Sequence, residues 1–348
     1  MLRIIDANCN RIGEGLRVLE DIARFILNDQ SLTQQLKALR HDLIKELTRF
    51  GSGLIAARDT DTDVGITTQT SLQGDLASLV AANAKRVEEA LRVTEEMAKL
   101  PEVSGQLDFR TFEKARFTVY ALEKELLSRL LRRDKLSRLK GLYIVVDAET
   151  LGYKDETKVV AQAISGGTSV IQLRDKKRNK RELLHLAREI AELCHSSNVL
   201  FIVNDHLDIA LAVECDGLHI GQDDLPIPLV RRVLQVEKLI GVSTRTVDQA
   251  LKAQAQGADY IAVGSIYTSP TKPDAEVIGP TQLRKIRQVV SLPIVAIGGI
   301  NRENIREVMA TGVEAAAVVS AVIRQQNIEQ ATRLLVKEIE ATKSHPEP

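Results

Sequence analysis

Two hydrophobic patterns follow one another along the chain. Through residue 138 the apolar positions recur at helical spacing, which predicts four helices over residues 6–28, 31–49, 75–100 and 106–138. Ser31 is the expected N-cap of the second helix, and Pro101 ends the third. From Leu139–Gly141 onward short apolar runs alternate with helical segments. The expected strands are Leu142–Val146, Val170–Arg174, Leu200–Asn204, Gly217–Ile220, Leu239–Ser243, Tyr260–Val263, Ile294–Ile297 and Ala316–Ser320. Eight evenly spaced strand–helix units predict an α/β fold, a (β/α)8 TIM barrel over residues 139–342, preceded by an all-α domain at 1–138. An open doubly wound sheet is the alternative. The tail, 343–348, is expected to be disordered.

The helical part repeats itself. Residues 7–20 align with 82–95, matching Asn8, Arg11, Glu14, Arg17 and Glu20 to Asn83, Arg86, Glu89, Arg92 and Glu95. A weaker echo pairs Arg40 with Arg116. This predicts a duplicated helical hairpin with pseudo-twofold symmetry. The repeated polar set reads as a solvated face of i,i+3 ion pairs, a preserved packing interface, or a functional surface. Between the hairpins, Ala57-Arg58-Asp59-Thr60-Asp61-Thr62-Asp63-Val64-Gly65 alternates aspartates. That spacing suits either a hard cation or phosphate–Mg²⁺ complex, or a solvated acidic loop.

Charge narrows the partners. The chain of 348 residues holds 47 basic and 47 acidic side chains, and residues 1–138 are as balanced as the remainder, at 22 against 21. Bulk binding to nucleic acid or to a membrane surface has no electrostatic basis here. No apolar run is long enough to span a bilayer, and the first residues lack a secretory apolar region, so a cytoplasmic location is expected. Cys9, Cys194 and Cys215 form neither a disulfide framework nor a metal pattern, which predicts buried reduced thiols.

In a barrel of this kind chemistry lies at the C-terminal ends of the strands. The period of two puts Gln172, Arg174 and Lys176 on one face of the second strand, with Ile171 and Leu173 turned outward. Asp205, Asp224 and Lys272 follow on later strand ends. Cations with two carboxylates suit a multiply charged phosphate held partly through Mg²⁺, which takes only one or two protein carboxylates. Gly298-Gly299 and Ser320 fit the usual barrel phosphate site, so two phosphorylated groups are expected. The basic run 174–181 also admits a nucleic-acid reading, but it lacks aromatics for stacking. His206 and His219 are candidate metal ligands.

The strand-end segments IQLRDK (171–176), VNDH (203–206), GLHIGQDD (217–224), GVS (241–243), GSIYTSPTKP (264–273), IGGI (297–300) and VVS (318–320) resemble thiamine-phosphate synthase, in family order across the barrel. The resemblance implies a transferase of thiamine biosynthesis. It would join a pyrimidine carrying a CH₂-diphosphate to thiazole phosphate, giving thiamine phosphate and diphosphate with Mg²⁺ bound. It implies that Gln172 to Lys176, Asn204, Ser243 and Lys272 contact the pyrimidine diphosphate, Leu173 and Asp175 included. Arg174, Lys176, Lys272 and Ser243 would serve catalysis, and Asp205 and Asp224 would ligate the metal. Ser269, Pro270, Thr271, Gly299, Val319 and Ser320 would hold the thiazole phosphate. Ser269 replaces a common Thr and Asp175 a frequent Glu, each keeping its functional group.

Residues 4–25, with LKALRHDL and ARDTDTDVG, resemble a small helical family associated with hydroxymethylpyrimidine-phosphate kinase activity. That implies ATP as a substrate of the first domain; a dimerisation or docking module is the competing reading. For the barrel, a thiazole tautomerase and a non-catalytic sensor of thiamine precursors compete with the synthase. The expected partners are small phosphorylated molecules, with a homo-oligomer left open.

Overall fold

A computed structural model of the chain describes residues 1–47, 50, 53–54, 75–271 and 273–344. The chain divides into two compact units, Met1–Arg133 and Asp134–Pro348. The acidic loop 57–65, residue Lys272 and the terminal 345–348 lie outside the described residues.

The first unit contains α1 (Leu2–Asp21), continued by a π-helical turn at Ile22–Ile26, then α2 (Gln30–Leu47), α3 (Leu76–Ala98) and α4 (Phe109–Arg138), which continues past the division. Ser31 is not the cap expected of it. The second helix starts one residue earlier, and the Asp29 carboxylate accepts the Leu32 N–H at 3.0 Å. Cys9 lies inside α1 and is half-buried; the other two thiols are buried, with Cys194 pushed up by burial to about 12.

The duplicated polar set forms two matching networks. Glu20 is 2% exposed and takes Arg17 from its own helix and Arg40 from α2, the latter at 2.9 Å. Glu95, 1% exposed, takes Arg92 from its own helix at 2.7 Å and Arg116 from α4 at 3.2 Å. Asn8 and Asn83 each donate to the carbonyl four residues back and accept from Arg11 and Arg86. Glutamates this buried are not a solvated face. The repeat preserves an ion-paired packing seam, because an interior carboxylate needs its cations. Gly15 serves the same seam: a Cβ there would lie 2.5 Å from Val87 Cγ2, so α1 and α3 approach closely only without one.

One buried carboxylate breaks the symmetry. Glu88 faces Glu123, and burial, followed by the charge and hydrogen bond of Glu123, raises its pKa to about 7. A carboxyl raised in the folded state binds its proton where the unfolded chain has released it. Stability is therefore lost as pH rises from the ordinary glutamate range to about 7.

In the second unit eight parallel strands close in sequence order: β1 (Gly141–Asp147), β2 (Val170–Arg174), β3 (Leu200–Asn204), β4 (Gly217–Ile220), β5 (Leu239–Thr244), β6 (Tyr260–Val263), β7 (Ile294–Ile297) and β8 (Ala315–Val318). This is the expected barrel rather than the open sheet. The last strand ends two residues early, because Ser320 starts a short helix, Ser320–Ile323. Outward residues such as Ile171, Leu173 and Phe201 pack in a layer with apolar helix residues such as Leu183 and Ile190, while Val170, Leu200, Leu239 and Ala315 belong to the interior cluster. No helix among the described residues is long and apolar enough to cross a membrane.

The N-terminal rim is tied by a device used three times. Asp216, Asp259 and Glu314 stand just before or at the head of β4, β6 and β8. Each accepts a backbone N–H from the preceding strand, at Phe201 (2.9 Å), Ile240 (2.7 Å) and Ile294 (2.7 Å). Each also pairs with a cation, Lys135, Arg231 and Arg287 respectively. Removing such an acid leaves a strand N–H without this acceptor and breaks the ion pair.

Two outcomes are expected. Asp259→Ala lowers the unfolding free energy by about 1–3 kcal/mol, measured by denaturant titration, because the buried Ile240 N–H loses its acceptor. Glu88→Gln gains about 1–3 kcal/mol over the parent at about pH 8 and loses that advantage near pH 4. A pH-independent difference in hydrogen exchange across α3 would refute the second expectation.

Candidate active site

The C-terminal ends of the strands open onto a cavity of ≈ 890 Å³. Alternation decides what enters it. Gln172 and Arg174 on β2 and Lys176 beyond it line the cavity, with Asn204 on β3, Asp205 just after it, Asp224 after β4 and Ser243 on β5. The far wall carries Ser269, Pro270 and Thr271 after β6, Gly299 after β7, and Val319 and Ser320 after β8.

Two of the expected contact residues do not line the cavity. Leu173 is 2% exposed and packs in the helix-side layer, because its odd position on β2 turns it outward. Asp175 is 3% exposed and closes its own loop, accepting the N–H groups of Lys177 (2.8 Å) and Arg178 (3.0 Å) and the Arg178 guanidinium (2.6 Å). Burial alone would raise the Asp175 pKa, but those bonds outweigh it and the net shift is downward. The basic run is likewise engaged locally. Arg178 also reaches Glu156, Lys177 pairs with Glu149 and Lys180 with Asp208. Both ring nitrogens of His206 are engaged within the protein, Lys180 Nζ lying 2.8 Å from Nδ1 and the Asp175 carbonyl 2.9 Å from Nε2.

The cavity's charges are arranged before anything binds. Arg174 is held by Asp147, which is fully buried and also accepts from the N–H (2.9 Å) and hydroxyl (3.0 Å) of Thr150. Lys176 Nζ stands 3.4 Å from Asp205. Asp205 adopts a left-handed backbone (φ 61°), uncommon outside glycine but tolerated by Asp, and this carries its carboxylate toward Asp224. Burial first, then the hydrogen bond and charge of Asp224, raise the Asp205 pKa, while Lys176 opposes them. Asp224 in turn accepts the Gly221 N–H at 2.7 Å. Two carboxylates converging against their own repulsion suit a divalent cation. Among the described residues no group of three or more acidic, His or Cys side chains does so.

On the far wall Gly298 and Gly299 both have positive φ, and a Cβ on Gly299 would lie 2.4 Å from the Thr268 carbonyl oxygen. The turn after β7 can dock on the segment after β6 only as glycine. Three buried cavity atoms, Gln172 Nε2, Thr244 Oγ1 and Thr271 Oγ1, have no hydrogen-bond partner among the described residues. Such atoms are costly unless a ligand or water meets them. Asp147, Thr244 and two tyrosines, Tyr143 and Tyr260, went unread as site residues in the sequence, and His219 was read there only as a candidate metal ligand. The end of β1 carries the same positional signal as the other strand ends, and applying it there would have found Asp147.

Comparison with known proteins agrees with this geometry. Residues 142–322 match the family model described as thiamine monophosphate synthase, and residues 3–125 match the ThiD2 family. A thiamine-phosphate synthase of Synechocystis sp. is 40% identical over 97% of this chain and 96% of its own, and one of Nostoc sp. is 39% identical over 98% and 95%. The solved thiamine phosphate pyrophosphorylase of Pyrococcus furiosus is 38% identical, with a TM-score of 0.56, over 60% of this chain and 98% of that one. By strand-end chemistry, by fold and by descent, the chain belongs to the thiamine-phosphate synthase family.

Proposed function

We propose that the cavity condenses a pyrimidine CH₂-diphosphate with thiazole phosphate, releasing diphosphate, and that its residues divide the work as follows. The reading rests on one observation: Arg174, Lys176 and the Asp205–Asp224 pair converge in one cavity with the unpartnered amide of Gln172.

Gln172 and Asn204, with Ser243, hold the pyrimidine ring, the Gln172 amide supplying a donor that no described residue uses. Arg174, aimed by Asp147, and Lys176 contact the diphosphate and meet the negative charge it gains as the C–O bond breaks. Lys272, outside the described residues, joins them in this reading. Thr271, Gly299 and Ser320 bind the thiazole phosphate and so fix its ring nitrogen in line with the methylene carbon. That nitrogen carries no proton, so no general base is required. Asp205 and Asp224 would hold Mg²⁺, which when bound neutralises diphosphate charge.

For the helical unit we propose phosphorylation of hydroxymethylpyrimidine phosphate from ATP. The match of residues 3–125 to the ThiD2 family supports this reading.

The decisive assay is diphosphate release by the full-length protein. Release should require both substrates and stop with EDTA. A folded protein that binds thiazole phosphate yet releases none would instead be a sensor or a tautomerase. Lys176→Ala and Asp205→Ala should each lose at least about a hundredfold in turnover while keeping their circular dichroism spectrum. Asp147→Asn should lose about tenfold or more in kcat/KM through Arg174, which it orients. For the helical unit, ATP-dependent formation of the pyrimidine diphosphate by the full-length protein supports the kinase reading, and its absence overturns it.

A further inference from the structure

At the cavity floor four polar groups stand in a row. Ser243 Oγ lies 3.0 Å from His219 Nε2, His219 Nδ1 lies 3.1 Å from the Tyr260 hydroxyl, and that hydroxyl lies 3.2 Å from the hydroxyl of Tyr143. Tyr260 is 0%, Tyr143 2% and His219 6% exposed, whereas Ser243 is half-buried at the cavity end. The barrel makes room for the row. Gly241 is the register partner of Tyr260, and a Cβ there would fall 2.0 Å from Tyr260 Cζ.

The protons of this row admit one arrangement. With neutral His219, four protons serve three links, so one proton is left over. If Ser243 donates to Nε2, then Nδ1–H donates to Tyr260. The spare proton then falls on a buried phenol whose hydrogen-bond partners among the described residues are the groups already in the row. An imidazolium strands a phenolic proton in the same way. Only the opposite order satisfies every buried donor: Tyr143 donates to Tyr260, Tyr260 to Nδ1, and Nε2–H to Ser243 Oγ. The remaining proton is then that of Ser243, free to point into the cavity. Burial also keeps both phenols protonated, raising each well above the ordinary tyrosine value.

We propose that His219 is a positioning residue, locked by Tyr260 and Tyr143 as the Nε2–H tautomer, so that Ser243 presents a hydrogen-bond donor to the substrate. A donor there recognises an acceptor, a ring nitrogen of the aminopyrimidine, and discriminates against a ring that offers N–H at that point. The inference deepens the placement of Ser243 on the pyrimidine and rests on it for the identity of the acceptor. The tautomer itself follows from the protein's own groups.

Nitrogen-15 spectra of histidine-labelled full-length protein at about pH 8, above the ordinary imidazole range, read the tautomer directly. His219→Gln identifies the signal. The expected result is Nε2–H, retained in Tyr143→Phe, where Tyr260 has no acceptor left except Nδ1. Tyr260→Phe keeps the ring but removes the lock. It should mix the tautomers and raise KM for the pyrimidine diphosphate about tenfold, the value of one hydrogen bond, with a smaller change in kcat. An Nδ1–H tautomer or an imidazolium in the parent protein overturns the proposal whatever Ser243 binds. An Nε2–H tautomer with an unmoved pyrimidine KM in Ser243→Ala supports the lock and overturns the pyrimidine contact.

Discussion

Closing eight short parallel strands into a barrel forces successive side chains alternately into the lumen and out toward the helices, and this alternation governs the rest of the molecule. The strands are only four to seven residues long, so each offers the lumen two or three side chains. The lower ones, Val170, Leu200, Leu239 and Ala315, form the interior apolar cluster. The upper ones have nothing left to pack against and become the cavity wall. A polar residue near a strand's C-terminal end therefore has two destinations, lumen or helix layer, and parity chooses between them. Gln172 and Arg174 differ from Leu173 by that alone.

The two ends of the barrel use acids differently. At the N-terminal rim Asp216, Asp259 and Glu314 each meet a strand N–H and a cation, so their charge is spent within the fold. At the C-terminal rim Asp205 and Asp224 are set against each other, and the Asp205 carboxyl is raised rather than lowered. Satisfied acids stabilise, whereas acids held in conflict store a demand for a cation. The helical unit shows the same contrast on a smaller scale. Hydrogen bonds and charges from Lys99, Arg92 and Arg116 outweigh burial and bring the Glu95 carboxyl down, while Glu88, facing Glu123, is driven up.

Most of the barrel was legible because strand period, spacing and chain order are local properties of the sequence. Five of the eight strands have the expected ends to the residue, and the others differ by one or two positions. What local pattern could not supply was the direction of hydrogen bonds. Asp175 occupies a strand end and carries the right charge, yet its carboxylate bonds backward to Lys177 and Arg178. Ser31 is a good cap by type, but Asp29 reaches Leu32 first. The row from Tyr143 to Ser243 joins β1, β4, β5 and β6, and its members are separated by up to 117 residues, so no motif could announce it. The helical repeat was visible as a repeat, but its meaning depended on burial. Glu20 and Glu95 look like surface residues until the second hairpin helix brings Arg40 and Arg116 over them.

Arg174 and Lys176 share a face of β2 but are not equivalent. The Asp147 carboxylate that holds Arg174 is 1% exposed, and separating such a pair leaves a charge stranded in the interior, so Arg174 is a fixed wall of the site. Lys176 is 56% exposed and touches Asp205 across water-accessible space, a contact worth about 1 kcal/mol or less. It can turn from Asp205 to an incoming diphosphate at little cost. In the proposed reaction, Asp205 would then lose the cation that, among the described residues, offsets Asp224, and the acid pair would call for a metal as the diphosphate arrives. In that reaction the fixed arginine would set where the diphosphate lies, and the movable lysine would couple its arrival to the carboxylates. Two cations of the same sign and strand divide positioning from coupling because one is buried and the other is not.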